Sequence, residues 1–478
     1  MNEIKINYFL ATLRELTAAK LMFVAIFMLV SLPTNASVEI KNYSETTQTA
    51  LGQAFINHLH SQYDVIQDPE INHYIRSIGE RIIQHTDGSK SFRFYVINNP
   101  DINAFAGPDG VIGIHTGLIQ SVSSEDELAS VMAHEIGHVT QEHLFRRIAL
   151  QSESTLPQIA SLIAAILIGI QNTDAGLATL MGSTAYQIEQ QLKYSRQHEY
   201  EADFAGIKFL SLSGYDPHAM PDFFEKLANS YKHYGMSAPE ILRTHPLTEN
   251  RLAKAQARAA SLASPIKQQD NTMLNLIQIR IESRYNTTIQ NRRSSDTLEC
   301  YKNILSQLNK PNSQKNSTEC LQELINLGSQ NYLLHALRLE STSKENSMEN
   351  KDLPTKPPAF SYELFTLNES IVIRYAELLE SQNKITQAIT ELKKFSDKTK
   401  YKNQVEAMIS KLYANLDKTP ESYYHLALAQ MDIGSLQRAA IYADKANASV
   451  NKEDKILKEN ITQLQEKLAK LLKNRLDD

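Results

Sequence analysis

Two histidines and a glutamate stand in the run His134-Glu135-Ile136-Gly137-His138. Histidines four apart on an α-helix share a face and lie about 6 Å apart along its axis, so two imidazoles can hold one metal ion. The glutamate between them faces the same pocket and can take a proton from a water that the ion activates. The plain alternative is a surface helix with two hydrogen-bonded histidines. A catalytic zinc also wants a third protein ligand and an open position for water. The run Glu199-Tyr200-Glu201-Ala202-Asp203 can supply that ligand. Glu199 and Asp203 are four apart on one helical face. Glu199 can bind the metal, and Asp203 can accept a hydrogen bond from the other ring nitrogen of a ligating histidine, fixing its tautomer. Glu201 is two residues on and faces away, so it ranks below Glu199. The competing reading is an acidic solvated face, against which Ala202, Phe204, Ala205 and Ile207 are read as burying the neighbouring side.

A third place of interest is His245-Pro246, inside Arg243 to Arg251. The proline biases His245 towards an extended backbone, as at a loop tip or helix start. His245 could reach the metal or the reacting carbonyl, and Arg251 could brace the site. A loop histidine with no part in the chemistry is the alternative.

These groups need elements to hold them. Leu128, Val131, Met132 and Ala133 precede the first histidine, and Val139 and Leu144 follow, as in a buried helix. Ser123 or Ser124, with Asp126 and Glu127 behind, gives an N-cap and an acidic first turn. Upstream, residues 38 to 65 read as an amphipathic lead-in. Asp68-Pro69-Glu70 starts a helix with the apolar stripe Ile71, Tyr74, Ile75, Ile78, Ile82 and Ile83. Ser91 to Asn98 alternates as a strand. Asn103 to Ala106 is extended, Gly107 to Gly110 turns, and Val111 to His115 returns. A small antiparallel sheet should therefore precede the histidine helix. Asn103 to Ala106 is either a substrate-binding edge, where an extended peptide adds as a strand, or a plain hairpin strand. Residues 156 to 182 are almost wholly apolar but are interrupted at Gln171 to Asp174. They read first as a buried or pocket-covering helix hairpin, and second as a membrane-surface contact.

The chain has 478 residues, enough for two or three domains, and carries a net charge of -5. That balance gives no electrostatic case for nucleic acid as the main partner. Lys5, Arg14 and Lys20, the short apolar core Leu21 to Val30, and Ala36 at the end of a small-residue site read as a secretory signal peptide over residues 1–36. An uncleaved anchor is the alternative. Export implies an oxidising compartment, in which Cys300 and Cys320 could pair or remain as two buried thiols.

From about residue 265 the chain is helical with little glycine. Two stretches lie on the 34-residue tetratricopeptide pattern: Tyr423, Leu426, Ala427, Gly434, Ala439, Ala443 and Ala446, and more weakly Val372, Tyr375, Ala376, Leu379, Ala388 and Leu392. An extra helix near Val405 to Leu416 separates them. Tyr301 to Leu339 reads as a degenerate pair, residues 341 to 360 as a hinge, and Glu453 to Leu476 as a capping helix. An irregular helical domain is the alternative. The expected organisation is a signal peptide, a metallopeptidase domain over 37–265 and a helical domain over 266–478.

The signal peptide, His-Glu-Ile-Gly-His, the Glu-x-Glu-Ala-Asp run, His-Pro and a helical repeat region together resemble the BepA-type periplasmic zinc metallopeptidases, relatives of HtpX and the CaaX-prenyl endopeptidases. The resemblance covers nearly the whole mature chain. It implies a mainly α protein: an α+β zincin-like domain with a small antiparallel sheet, then an all-α tetratricopeptide-like domain. It implies one zinc on His134, His138 and Glu199, Glu135 as general base, Asp203 beside the ligands, and His245 closing over the zinc to keep the enzyme off. It implies unfolded or stalled outer-membrane proteins as substrates, and contact with the barrel assembly machinery through the repeats. A non-proteolytic repeat-domain chaperone or adaptor with a zinc site is the alternative. Membrane-embedded prenyl-protein processing fails for want of spanning helices.

Overall fold

The computed structural model describes residues 45–88, 90–149, 185–234, 239–264, 270–285, 295–308, 320–321, 323, 325, 331–348 and 367–474. The signal-peptide reading and the apolar run 156 to 182 lie outside these residues, as does most of the hinge reading over 341 to 360.

The amphipathic lead-in is helix α1 (Glu45–Gln62), which buries Leu51, Phe55, Ile56 and Leu59. Helix α2 (Pro69–Ile83) starts as its sequence requires. The Asp68 carboxylate accepts from the amides of Glu70 and Ile71, each at 3.2 Å, and proline takes the first position. Ile71, Ile75, Ile78 and Ile82 are buried on one stripe, each contributing about 1.5–3 kcal/mol relative to exposure.

Three strands follow, β1 (Arg93–Ile97), β2 (Ala104–Ala106) and β3 (Val111–His115), in the order β1-β3-β2. β2 and β3 form an antiparallel hairpin, with Ala104 opposite Ile114 and Ala106 opposite Ile112. Its turn places Asp109 at φ 55 and Gly110 at φ 68. A Cβ on Gly110 would lie 1.8 Å from the Ser91 carbonyl oxygen, so only glycine fits there. The sheet differs from the antiparallel one expected, because β1 runs parallel to β3, with Arg93 opposite Val111 and Ile97 opposite His115. Alternation and turn residues identify a hairpin. They do not say on which side of it an earlier strand lies, and here β3 is inserted between β1 and β2.

The outer side of β1 is taken up. The Ile66 amide donates to Val96 O at 2.8 Å, the Asn98 amide donates to Asp64 O at 2.9 Å, and the Phe94 amide donates to the Tyr401 hydroxyl at 3.0 Å. Arg93 pairs with Asp432 at 3.1 Å, and the Arg76 guanidinium lies 3.6 Å from the Tyr401 ring centroid.

After α3 (Thr116–Ser121) comes α4 (Glu125–Thr140), which carries His134 to His138. Its cap is reciprocal: Ser124 Oγ accepts from the Glu127 amide at 3.2 Å, and Glu127 Oε2 accepts from the Ser123 amide at 2.7 Å. Helix α5 (His143–Ala149) follows a turn at Glu142, φ 54. Helix α6 (Ala185–Leu212) packs along α4. The approach is close at two glycines: a Cβ on Gly137 would lie 2.7 Å from Ala202 O, and one on Gly206 would lie 2.9 Å from Ala133 O. Helices α7 (Ala219–Tyr234), α8 (Glu240–Thr244) and α9 (Glu249–Ala260) complete this part.

Beyond it come α10 (Thr272–Tyr285), α11 (Asp296–Leu308), α12 (Tyr332–Met348), α13 (Glu369–Ser381), α14 (Ile385–Ser396), α15 (Asn403–Ala414), α16 (Thr419–Asp432), α17 (Leu436–Ser449) and α18 (Lys455–Asn474). α15 stands between two helical hairpins, α13–α14 and α16–α17, and Ala427, Ala439, Ala443 and Ala446 are fully buried. Cys300 and Cys320 form a disulfide, which closes the question their spacing left open.

The apolar core is continuous across residue 265: Leu274, Ile277 and Ile281 of α10 join Ile119 and Val122. A buried ion cluster reinforces this. Arg280 bonds both Asp68 oxygens through Nε at 2.8 Å and reaches Glu70 at 2.8 Å and Glu340 at 3.1 Å. Arg374 bonds Glu70 through Nε at 2.7 Å and Nη2 at 3.0 Å. Two guanidiniums thus tie α2, α10, α12 and α13 together. Bidentate Arg–carboxylate pairs hold buried charge with fixed geometry.

Candidate metal centre

The reciprocal glycines let α4 and α6 face each other at backbone contact, which brings Glu199 and Asp203 against His134 and His138. α8 ends at His245, whose backbone sits at φ -124, ψ 77, as the following proline favours. The Ile241 amide donates to Ile102 O at 3.1 Å, so the segment carrying His245 is fastened just ahead of β2.

One ligand atom from each of His134, His138, Glu199 and His245 can be chosen so that all lie within 4.8 Å of one another. His134 Nε2 is 3.0 Å from His138 Nε2, 3.4 Å from Glu199 Oε2 and 3.4 Å from His245 Nδ1. His138 Nε2 is 3.5 Å from Glu199 Oε1, and His245 Nδ1 is 3.0 Å from it. Donors around a tetrahedral zinc at about 2.0–2.1 Å are separated by about 3.3–3.4 Å. Two imidazole nitrogens facing each other at hydrogen-bond distance, with a carboxylate beside them, are the donor set such a cation takes. The residues therefore fit a metal ion of the zinc kind.

Behind the donors stands a second layer. Asp203 Oδ1 lies 2.9 Å from His134 Nδ1, which turns His134 Nε2 towards the cluster. Arg251 donates to Asp203 through Nε at 2.6 Å and Nη2 at 2.8 Å. Its Nη1 lies 2.8 Å from Glu199 Oε2 and donates to the carbonyls of His245 at 3.2 Å and Pro246 at 3.3 Å. Thr248 caps α9 by accepting from the Arg251 amide, which fixes where that side chain begins. Glu135 is buried on the same side, with Oε1 3.5 Å from His245 Nε2.

Among the protein groups alone the charges are ordered. Burial opposes charge on His134, but hydrogen bonding and attraction from Asp203 and Glu199 outweigh it and hold the imidazole up at about 9. Burial, helped by the neighbouring histidines, holds His138 well below its ordinary value. Burial also opposes ionised Glu199, yet His245, Arg251 and His138 bring its carboxyl well below the usual range. The pocket carries protein anions that a cation would satisfy.

All six residues singled out by sequence, His134, Glu135, His138, Glu199, Asp203 and His245, meet here. One expectation differs. Phe204, read as part of the buried face, is 57% exposed, with the Arg258 guanidinium 3.9 Å from its ring centroid. Glu201, ranked below Glu199, stands outside the donor cluster and pairs with His143 and Arg146. His143 itself was missed. It lies beyond the end of the motif helix and past the left-handed Glu142, where no helical spacing applies.

A small sheet, a buried His-Glu-x-x-His helix and a second helix bringing a carboxylate to the two histidines have the layout of a zincin-like metallopeptidase, and residues 69–259 match the model of peptidase family M48. The particular relatives are narrower in kind. The beta-barrel assembly-enhancing protease of Escherichia coli is 39% identical over 250 residues, 52% of this chain and 51% of that protein. The protein of the same name from Yersinia pestis is 37% identical over 213 residues, 44% of each chain. The mitochondrial metalloendopeptidase OMA1 of Arabidopsis thaliana is 32% identical over 181 residues, 37% of this chain and 34% of the relative. The chain spans about half the length of the beta-barrel assembly-enhancing proteases it matches. Among the described residues no helix is long and apolar enough to cross a membrane.

Proposed function

We propose that this chain is a zinc-dependent endopeptidase of the periplasm that acts in the assembly and quality control of outer-membrane β-barrel proteins, and that it rests in a latent state. The observation that carries the reading is the fourth donor. His245 Nδ1 joins His134, His138 and Glu199, while its Nε2 faces Glu135. A structural metal site has no use for a buried general base, whereas a latent peptidase needs both the base and something to stand in front of it.

His134, His138 and Glu199 would hold the ion, with His245 as the displaceable fourth group. When bound, a zinc ion supplies Lewis acidity that activates water and polarises a carbonyl. The remaining work falls to the chain. Glu135 takes the proton of the attacking water and passes it to the leaving amine. Asp203 and Arg251 keep His134 and Glu199 in place. With His245 withdrawn, Glu135 faces water in place of imidazole, and His245 could then return to steady the developing oxyanion.

The names of the relatives support the barrel-assembly part of this reading. Residues 37–265 act as the peptidase domain and 266–478 as a tetratricopeptide-like domain that contacts the barrel assembly machinery. Unfolded or stalled barrel proteins are the substrates. Residues 1–36 direct export.

The deciding experiment measures zinc content and cleavage of casein or unfolded barrel protein in the unmutated chain, Glu135→Gln and His245→Ala. Zinc in all three, cleavage abolished in Glu135→Gln and raised in His245→Ala, supports a latent peptidase. No zinc in any of them overturns it, and equal cleavage with and without His245 removes the latch.

A further inference from the structure

Glu201 was set aside as a ligand, yet it is built into the site by another route. His138 Nδ1, the ring nitrogen turned away from the donor cluster, lies 2.9 Å from His143 Nδ1. His143 Nε2 lies 3.1 Å from Glu201 Oε2, and that same oxygen receives Arg146 Nη1. His143 is 4% exposed and stacks on His198, ring centroids 4.1 Å apart and planes 13° apart, so its ring cannot turn freely.

Proton bookkeeping then permits one arrangement. A His138 that binds a metal through Nε2 carries its proton on Nδ1. That proton must be donated to His143 Nδ1, so Nδ1 of His143 is bare and its proton sits on Nε2. The Nε2 proton is donated in turn to Glu201, whose charge Arg146 balances. Every donor in the chain has an acceptor, and no other tautomer of neutral His143 satisfies both contacts.

We infer that His143 and Glu201 are positioning residues that set the tautomer and aim of His138 through a histidine–histidine–carboxylate relay, the counterpart of the Asp203 contact that sets His134. The two zinc-facing imidazoles are thereby oriented by separate acids, Asp203 directly and Glu201 through an intervening ring. Outer partners of this kind change metal affinity by about 10–100-fold when removed. The inference rests on the metal-centre reading above.

The test is competitive zinc titration against a chromophoric chelator, using the full chain, with cobalt absorption in the visible range as a second readout. His143→Leu, which cannot accept from His138, should weaken zinc binding about 10–100-fold and alter the cobalt spectrum. His143→Gln, whose amide oxygen can accept, should restore most of the affinity, and Glu201→Ala should fall between. The melting temperature of the metal-free chain should stay within a few degrees across the series. Equal zinc affinity in His143→Leu and the unmutated chain overturns the relay. Loss of zinc in Leu and Gln variants alike, with lowered metal-free melting, also overturns it, because it marks a packing role. No zinc in the unmutated chain instead sinks the metal-centre reading, a different result from either.

Discussion

Arg251 holds Asp203 with two nitrogens, Nε at 2.6 Å and Nη2 at 2.8 Å, and both side chains are almost fully buried. The same guanidinium reaches Glu199 and the carbonyls of His245 and Pro246. One cation thus pairs with two site carboxylates and fastens the His245 segment. Arg251→Ala should cost about 3–5 kcal/mol in chemical denaturation, since two buried acids lose their partner. Arg251→Lys should recover only part, because an ammonium cannot repeat the fork. A lysine variant as stable as the parent would show that charge alone suffices.

Gly137→Ala should push α4 and α6 apart, because its Cβ would meet Ala202 O at 2.7 Å and backbone cannot step aside cheaply. A loss of about 1–3 kcal/mol is expected, with weaker zinc binding as His138 moves away from Glu199. Circular-dichroism melts and a zinc titration on the same sample would check both. Unchanged zinc affinity would separate helix spacing from ligand geometry.

Glu340 gives a pH prediction away from the site. Burial opposes its charge, but Arg280, Arg374 and Arg284 hold its carboxyl down at about 2. A depressed carboxylate stabilises the fold in full above its unfolded value of about 4.3, and the contribution is lost as pH falls through the folded value. The stability gap between the parent and Glu340→Gln should therefore be widest near pH 7, on the order of 3–5 kcal/mol, and close between about pH 4 and pH 2. A gap that stays constant to pH 2 would contradict this assignment.

The Cys300–Cys320 bridge spans a sequence separation of 20. Reduction, or paired replacement by serine, should destabilise by about 2–4 kcal/mol, since it frees a loop in the unfolded chain. Zinc affinity should not change, because α11 lies outside the site. Coupled loss of zinc would mean that the two halves unfold as one unit.

How much could be read beforehand depends on range. The α4 helix, its Ser124 cap, the α2 cap at Asp68 and the bounds of β3 follow from local spacing and side-chain chemistry. A four-residue period puts Glu199 and Asp203 on one face of their helix and the two histidines on one face of theirs; that the two faces meet was implied by the family resemblance and not by the spacing. The parallel β1–β3 ladder did not follow from spacing, because strand order is a matter of which side the chain crosses. Nor did the contact of His143 with His138, which depends on the turn at Glu142. The cluster of Arg280 and Arg374 brings together residues more than two hundred positions apart, and no periodicity reports that.

The covered side of β1 sets the valency of the sheet. With Ile66, Asp64 and Tyr401 occupying its outer amides and carbonyls, no extended chain can add there. If clients are themselves unfolded β-strands, a sheet open on both sides would join two of them and seed their aggregation. One closed side limits strand addition at this sheet to the β2 edge, so the sheet by itself cannot bridge two such chains.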